Sequence, residues 1–167
     1  IEYRSKKEKL IKKISEEEVS TEFGMMKLIV YSDLLSKNTH LAFVKGTIKK
    51  DDEVVVRVHE PLSILDFVSK ETPHSWPPLK ALKKISDEKN GVVIFLNYKE
   101  SQNNITSKLN HENITLKKST DLRSYGIGSQ ILVDIGVSKM KLLAAPRKMP
   151  SMAGYGLQVT EFIENNM

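Results

Sequence analysis

The chain has 167 residues, 40% of them hydrophobic and 28% charged, which is typical of a soluble globular protein that forms a core without staples. No cysteine is present, so disulfides, thiolate zinc sites and a cysteine nucleophile are excluded. The net charge of +5 is concentrated in residues 4–13 and aromatic residues are only 7%, so we expect no nucleic-acid partner. The lack of a long apolar run or signal peptide predicts a cytoplasmic protein with no membrane partner.

The first residues are predicted to form a connector. The stretch IEYRSKKEKLIKK has the pattern of a charged amphipathic helix with Leu10, Ile11 and Ile14 on one face. Residues 15–24 then form a polar linker that ends in a glycine. Because the chain starts with Ile1 inside this connector, we interpret it as a fragment, or as a chain whose earlier part is not included.

Short β-type runs fill the first third of the chain after the connector. Residues 26–31, 41–46 and 53–59 are rich in β-branched and aromatic side chains and are bounded by polar turns. Residues 33–40 are a loop or a single helical turn between two of these runs. The pattern predicts an N-terminal β-meander.

The second half alternates helix and strand signals. A helix is predicted over 74–91, with prolines in its first turn and Gly91 at its end, followed by a doubly buried strand over 92–96. A polar loop over 99–120 leads into a short helix over 129–137. A strand over 139–145 and an edge strand over 157–163 complete the chain. Such alternation favours a layered α/β domain.

The stretch TDLRSYGIGSQIL, residues 120–132, contains the strongest local candidate for chemistry. Asp121 and Arg123 are either catalytic or a helix cap and a solvated charge. Gly126 and Gly128 lack the third glycine of a dinucleotide fingerprint and the Gly-Lys of a P-loop. We interpret these two glycines as backbone requirements at a helix start.

The histidines give a weaker candidate. His59 and His74, with Glu60 and Asp66 nearby, could form an N/O metal site, but the spacing matches no standard ligand motif. His59 is better interpreted as a polar residue at a strand end. Trp76, next to two prolines, is better interpreted as a packing residue.

Several longer stretches resemble the GTP cyclohydrolase II family. The match TDLRSYGIGSQILVDIGVSKMKLL is the most specific, and STEFGMMKLIVY, HLAFVKGTI, VVVRVH and GYGLQVTEFI resemble other strands of the family. The resemblance extends to the C-terminal half of a bifunctional riboflavin-biosynthesis protein, in which a 3,4-dihydroxy-2-butanone 4-phosphate synthase comes first. It implies an α/β fold, a layered mixed sheet flanked by helices with an N-terminal β-meander.

The resemblance also implies a reaction and its residues. The family opens the guanine imidazole ring of GTP with a zinc ion on three cysteines, and releases formate and pyrophosphate. By this resemblance Arg123 is the nucleophile toward phosphorus and Asp121 is its base. The substrate-binding candidates are Arg57, His59, Arg147 and Lys148.

The chain departs from the family at the positions that hold the zinc ion and the substrate. Leu62 stands at the first zinc ligand, and residues 69–78 replace the segment that carries the other two cysteines. Residues 97–101 replace the triphosphate loop, and 144–146 replace a polar turn. We therefore expect no cofactor and no metal in this domain, and we interpret all six site residues as vestigial.

These observations lead to one prediction with two alternatives. We predict a linker helix at 1–18 and a degenerate GTP cyclohydrolase II-like domain at 19–167, the latter following a synthase domain that would carry Mg or Mn. Its role would be structural or regulatory, in a homodimer. The alternatives are a module that binds phosphate or a GTP-like ligand, and an altered GTP-hydrolysing enzyme that uses Asp121 and Arg123.

Overall fold

The computed structural model describes residues 8–60, 76–98, 106, 121–148 and 152–165, and for 121 and 122 the backbone only. The described residues form a seven-stranded sheet with the strand order β1-β2-β3-β5-β4-β6-β7. The strands are β1 Ile11–Thr21, β2 Gly24–Asp33, β3 Thr39–Lys45, β4 Glu53–His59, β5 Gly91–Phe95, β6 Lys139–Leu143 and β7 Gln158–Ile163. The helices are α1 Pro78–Ser86 and α2 Asp121–Ile135, with a 3-10 turn at Met152–Tyr155. The predicted α/β fold is confirmed.

The N-terminal meander is present, but its strands differ from those expected. β1, β2 and β3 pair antiparallel in chain order. β4 does not continue the meander, because it lies parallel between β5 and β6. The physical reason is its burial on both faces at Val54–Val56, which suits an interior parallel strand.

The predicted helix at the N terminus is wrong for the residues that the structure describes. From Ile11 onward the chain is β1, which pairs with β2 up to the turn before Gly24. Leu10 and Ile11 are buried, but Ile14 is 56% exposed beside a register shift. The three apolar residues of the expected helix therefore do not form one buried face. Pairing with β2 outweighs the helix-like pattern of the charged residues. Whether residues 1–18 connect to another domain stays a prediction.

The buried and edge strands of the second half are confirmed. β5 is buried along its whole length between β3 and β4. β7 lies at the end of the sheet, parallel to β6. The helix predicted over 74–91 is present as α1, with proline in its first turn, but it ends at Ser86, and Gly91 is the first residue of β5 instead of the end of the helix.

The helix α2 begins well before the position predicted for it. Gly126 and Gly128 therefore lie inside the helix, not at its start. A Cβ atom on Gly126 would lie 3.0 Å from Leu10 Cδ1, so the glycine allows the incoming chain to pack against the helix. The helix ends as predicted at Gly136, which has a φ of 105° and donates its N–H to the carbonyl of Leu132.

The sheet separates two apolar clusters. The larger cluster packs α2 against the sheet and includes Ile29, Tyr31, Ile94, Ile127 and Ile131. The smaller cluster packs α1 against the other face and includes Val55, Trp76, Ile85, Val93 and Phe95. Trp76 also donates its indole N–H to the carbonyl of Ile163 at 2.8 Å, so its predicted packing role is confirmed. Among the described residues, no helix is both long and apolar enough to cross a membrane.

Candidate functional site

One edge of the sheet collects most of the candidate residues. β4, β5 and β6 are parallel and end there at His59, Phe95 and Leu143. The turn between β2 and β3 lies at the same edge, because Leu41 at the start of β3 pairs with Phe95. In open α/β sheets, ligands bind outside the carboxyl ends of the parallel strands.

Arg123 lies in the first turn of α2 and is bound to Asp33, the last residue of β2. Its Nη2 donates a hydrogen bond to Asp33 Oδ1, and the side chain of Asp33 is only 1% exposed. The same oxygen accepts the backbone N–H groups of Leu35, at 2.9 Å, and Ser36, at 3.1 Å. The carboxylate therefore joins the β2–β3 turn to the start of α2.

The bonding around Asp33 keeps its carboxylate ionised. Burial by itself would raise the pKa of Asp33, since the charged form loses solvation. The hydrogen bonds from Ser36, Leu35 and Arg123 act in the opposite direction and hold the pKa below its ordinary value. The group is therefore an anion at neutral pH, and Arg123 is its counter-ion.

His40 lies beside this ion pair and is fully buried. Its Nδ1 accepts the backbone N–H of Asn97 at 3.0 Å, so the neutral ring carries its proton on Nε2. That nitrogen lies 3.9 Å from Asp33 Oδ2, too far for a direct hydrogen bond. Burial and the charge of Arg123 lower the pKa of His40, although Asp33 opposes them, and the ring is neutral at pH 7.

Tyr98 completes this cluster from the end of β5. Its ring meets the His40 ring edge-on with the centroids 5.2 Å apart, and its hydroxyl lies 3.0 Å from Ser124 Oγ on α2. Burial raises the pKa of Tyr98 above its ordinary value, so the phenol is neutral. We call Asp33, His40, Tyr98 and Arg123 the polar cluster.

Arg57 and His59 lie on the other face of the sheet. They alternate along β4 with Val58, which faces α2 near Gly128. His59 instead meets the ring of Phe95 in the α1 cluster, with the centroids 5.9 Å apart. The guanidinium of Arg57 donates to the carbonyl of Leu143, at the end of β6, at 3.1 Å.

Arg147 and Lys148 follow β6 at the same edge. The guanidinium carbon of Arg147 lies 5.8 Å from the ring centroid of Tyr125 on α2, within the range of a cation–π contact. Lys148 is exposed. Four of the six predicted site residues are thus divided between the two faces of the sheet, with Arg123 and Arg147 on the α2 side, and Arg57 and His59 on the α1 side.

Some predicted positions lie outside the residues that the structure describes. These are the side chain of Asp121, the zinc-ligand position Leu62, and His74 and Asp66 of the alternative metal site. The backbone of Asp121 is the first residue of α2, two positions before Arg123.

The donor set does not fit the zinc ion that the resemblance implies. No cysteine is available anywhere in the sequence, and three thiolates are required. Within the described ranges, no group of three His, Asp or Glu side chains is close enough to hold a metal ion. We therefore derive no reaction step through a metal.

Three members of the polar cluster, Asp33, His40 and Tyr98, are missing from the site residues that the sequence predicts. Asp33 and His40 lie at the two ends of residues 33–40, which the sequence predicts to be a loop or a single helical turn. Their signal is local: an aspartate that ends an apolar strand and precedes a turn, and a histidine two residues before a buried alanine of the next strand. The fold is needed to show that Asp33 binds Arg123 and that His40 lies beside this ion pair.

The comparisons with known proteins agree with this architecture. The family model described as GTP cyclohydrolase II matches residues 12–164. The chain belongs to the GTP cyclohydrolase II family. This confirms the resemblance found in the sequence, over nearly the whole of the described fold.

Similar proteins include two types of riboflavin-pathway polypeptide. A protein of Neisseria meningitidis named 3,4-dihydroxy-2-butanone 4-phosphate synthase is 40% identical over 98% of this chain and 45% of its own length. The riboflavin biosynthesis protein RibBA of Chlorobium phaeovibrioides is 32% identical over 96% of this chain and 43% of its own length. The chain therefore spans less than half the length of these curated relatives.

A solved structure shows the same fold. The crystal structure of RibBX, described as a two-domain 3,4-dihydroxy-2-butanone 4-phosphate synthase from A. baumannii, matches with a TM-score of 0.64 and 27% identity. The match covers 97% of this chain and 43% of that one. A region with a fold similar to that of this chain thus occurs within a protein described as a two-domain synthase.

Proposed function

We propose that this domain has lost the GTP ring-opening reaction and supports a 3,4-dihydroxy-2-butanone 4-phosphate synthase polypeptide in a structural or regulatory role. The observation that carries the proposal is the absence of cysteine from all 167 residues of a chain that keeps the seven-stranded sheet. Without a thiolate-bound zinc ion, the group that would generate hydroxide at neutral pH in this family is missing.

The contacts of Arg123 support the same proposal. Its guanidinium forms a charge-assisted bond with a buried carboxylate that also organises a turn. This is a structural use of the residue, because it fastens the start of α2 to the end of β2. The pair gives a reason for Arg123 to persist after the reaction is lost.

The relatives support an attached synthase part. Proteins that match over nearly all of this chain are more than twice as long and are named synthases. In such a polypeptide, the domain would provide dimerisation or support for the synthase half, and Mg or Mn would belong to that half. The homodimer and the attached domain are both parts of this proposal.

The loss of the reaction is tested by product formation. The polypeptide is incubated with GTP and Zn²⁺, Mg²⁺ or Mn²⁺ in turn, and formate and pyrophosphate are measured. We expect no more product from the wild type than from the Arg123→Ala variant. Formate release that Arg123→Ala abolishes would overturn the proposal and favour the altered enzyme.

The supporting role is tested separately by deletion. The longer polypeptide is compared with a variant that lacks residues 1–167, and both synthase turnover and molar mass in solution are measured. We expect the deletion to lower turnover, reduce the mass to that of a smaller assembly, or both. If neither quantity changes beyond the mass of the deleted domain, the supporting role is wrong.

A second candidate function is a module that binds a phosphate-containing ligand. The observation in its favour is that Arg147 contacts Tyr125 near the start of α2 and is followed by the exposed Lys148, at the sheet edge that also carries Arg57 and Arg123. A cationic edge next to a helix N-terminus suits an anion.

Calorimetry tests this second candidate. Pyrophosphate, GTP and flavin mononucleotide are titrated into the wild type, Lys148→Ala and Lys49→Ala. Lys49 is an exposed lysine in the turn before β4, at the opposite end of that strand. We expect Lys148→Ala to weaken binding and Lys49→Ala to leave it unchanged. No heat with any of the three ligands would exclude the binding module.

A further inference from the structure

The turn between β2 and β3 presents two leucine side chains to solvent. Leu34 is 38% exposed and Leu35 is 76% exposed, while the residues before them on β2 alternate into the core. We call residues 34–37 the leucine turn. Single exposed leucines are common on protein surfaces, but two adjacent exposed leucines at the tip of a turn form a small apolar patch that a partner could cover.

The leucine turn is held in one conformation. Besides the two N–H groups that bind Asp33 Oδ1, the N–H of Lys37 donates to the carbonyl of Asp33 at 2.9 Å, and the N–H of Asp33 donates to the carbonyl of Asn38 at 2.9 Å. Arg123, on α2, also binds the carboxylate of Asp33 and restricts its position. Because the leucines are pre-organised, a partner that covers them orders little additional chain.

The chain enters the domain directly beside the leucine turn. The N–H of Leu34 donates to the carbonyl of Leu10 at 2.9 Å. The side-chain amide of Gln130 on α2 accepts the N–H of Leu10 at 2.8 Å and donates to the carbonyl of Glu8 at 2.7 Å. Any part of the polypeptide that precedes residue 8 is therefore tethered at the leucine turn.

We propose that the leucine turn is the surface on which the companion synthase domain of the longer polypeptide docks. This inference rests on the proposed function, which provides the companion domain. The match covers 43% of the two-domain protein that the chain resembles, so a companion domain of at least similar size is expected at this tether. A domain on a short tether has an effective concentration in the millimolar range, so a contact with a dissociation constant in that range is sufficient for docking.

Site-specific photo-crosslinking tests the docking surface in the longer polypeptide. The variants Leu35→Cys and, as a matched control, Met25→Cys are labelled with a benzophenone maleimide. Met25 is 58% exposed at the opposite end of β2, and residues 1–167 contain no other cysteine to label. After irradiation, crosslinked peptides are identified by mass spectrometry and product masses are read from a denaturing gel.

We expect Leu35→Cys to form a crosslink within one polypeptide, to a peptide outside residues 1–167, at least fivefold more often than Met25→Cys. Equal yields from the two positions, or crosslinks confined to residues 1–167, would overturn the docking surface. A product of doubled mass from Leu35→Cys would instead show that a second copy covers the turn, and would overturn it as well.

A second variant separates this inference from the proposed function. Leu35→Glu places a charge on the docking surface without touching the core, since Leu35 is exposed. We expect it to lower the crosslinking yield from Leu34→Cys at least fivefold, and an unchanged yield would contradict docking. If docking is lost and synthase turnover stays the same, the docking surface stands and the supporting role fails.

Discussion

Replacing Asp33 by alanine tests the idea that this buried carboxylate organises the edge of the domain. The change removes the acceptor of the Leu35 and Ser36 N–H groups and the counter-ion of Arg123 together. Asp33→Asn is the milder companion variant, because it keeps an oxygen that can accept the two backbone bonds and removes only the charge.

The expected cost follows from these contacts. A hydrogen bond to a charged group contributes about 1.5–3 kcal/mol, and the two backbone donors lie in a turn that water can reach, which favours the lower end of that range. The side chain of Arg123 is 33% exposed and can be rehydrated, so its loss of a partner adds less than about 1 kcal/mol. We expect Asp33→Ala to cost about 3 kcal/mol of unfolding free energy and Asp33→Asn about 1 kcal/mol.

Urea unfolding monitored by circular dichroism measures this cost at pH 7, and thermal unfolding provides a second readout. For a chain of this length, about 3 kcal/mol corresponds to a Tm lower by about 6–12 °C. The control is Asp87→Ala, which removes an exposed helical pair with Lys83 and should change stability by less than about 0.5 kcal/mol. An Asp33→Ala variant as stable as this control would refute the role assigned to the carboxylate.

The remaining predictions concern the core and the pH dependence. Gly128→Ala should stabilise α2 by about 0.5–1 kcal/mol, since the new Cβ meets Val58 at an ordinary 3.6 Å. Gly91→Ala should instead destabilise the domain by about 1–3 kcal/mol, because its Cβ would lie 2.6 Å from Ile85. In urea unfolding, the free-energy changes of the two variants should have opposite signs. Tyr31→Phe should cost about 1 kcal/mol through the lost 2.7 Å hydrogen bond to Asp134, and no loss in the same assay would show that bond to be neutral. The pKa of His40 is lowered in the folded state, so the unfolded chain takes up this proton first and stability should fall as pH drops below about 6.5. The lowered pKa of Asp33 should add a second loss of stability below about pH 4. An unfolding free energy that does not change between about pH 7 and about pH 3 would contradict both expectations.

The strands were predictable because their apolar patterns are short and bounded by turns. β5 was recognised as doubly buried from its continuous apolar run, and the structure buries it throughout. β1 was mistaken for a helix because lysines and glutamates suit a helix, and nothing in those residues shows that β2 will pair with them. The predicted start of α2 is too late in the chain, because glycine is typical of a helix boundary, whereas Gly126 lies inside the helix and packs against Leu10.

The candidate site was less predictable than the fold. Arg123 is a candidate from the local sequence, and the family resemblance supports it, but its partner Asp33 is 90 residues away in the chain, at the start of a predicted loop. Arg57 and Arg123 lie on opposite faces of the sheet because α2 covers the face that Arg57 does not occupy. The alternation along β4 shows that Arg57 and Val58 face opposite sides, but only the packing shows which side α2 covers. The local sequence can mark such residues as candidates, but it does not show which distant residue each of them contacts.

The mixed sheet also has a consequence for the order in which the protein folds. The β1–β2–β3 half is closed by tight turns, so its pairs, such as Thr21 with Gly24, require little loop closure. The parallel half joins residues far apart along the chain, such as Val54 with Met140. Contacts of high sequence separation form late and slowly. The two hairpins are therefore expected to gain protection from hydrogen exchange first, and β5 is the strand on which the later, parallel half assembles.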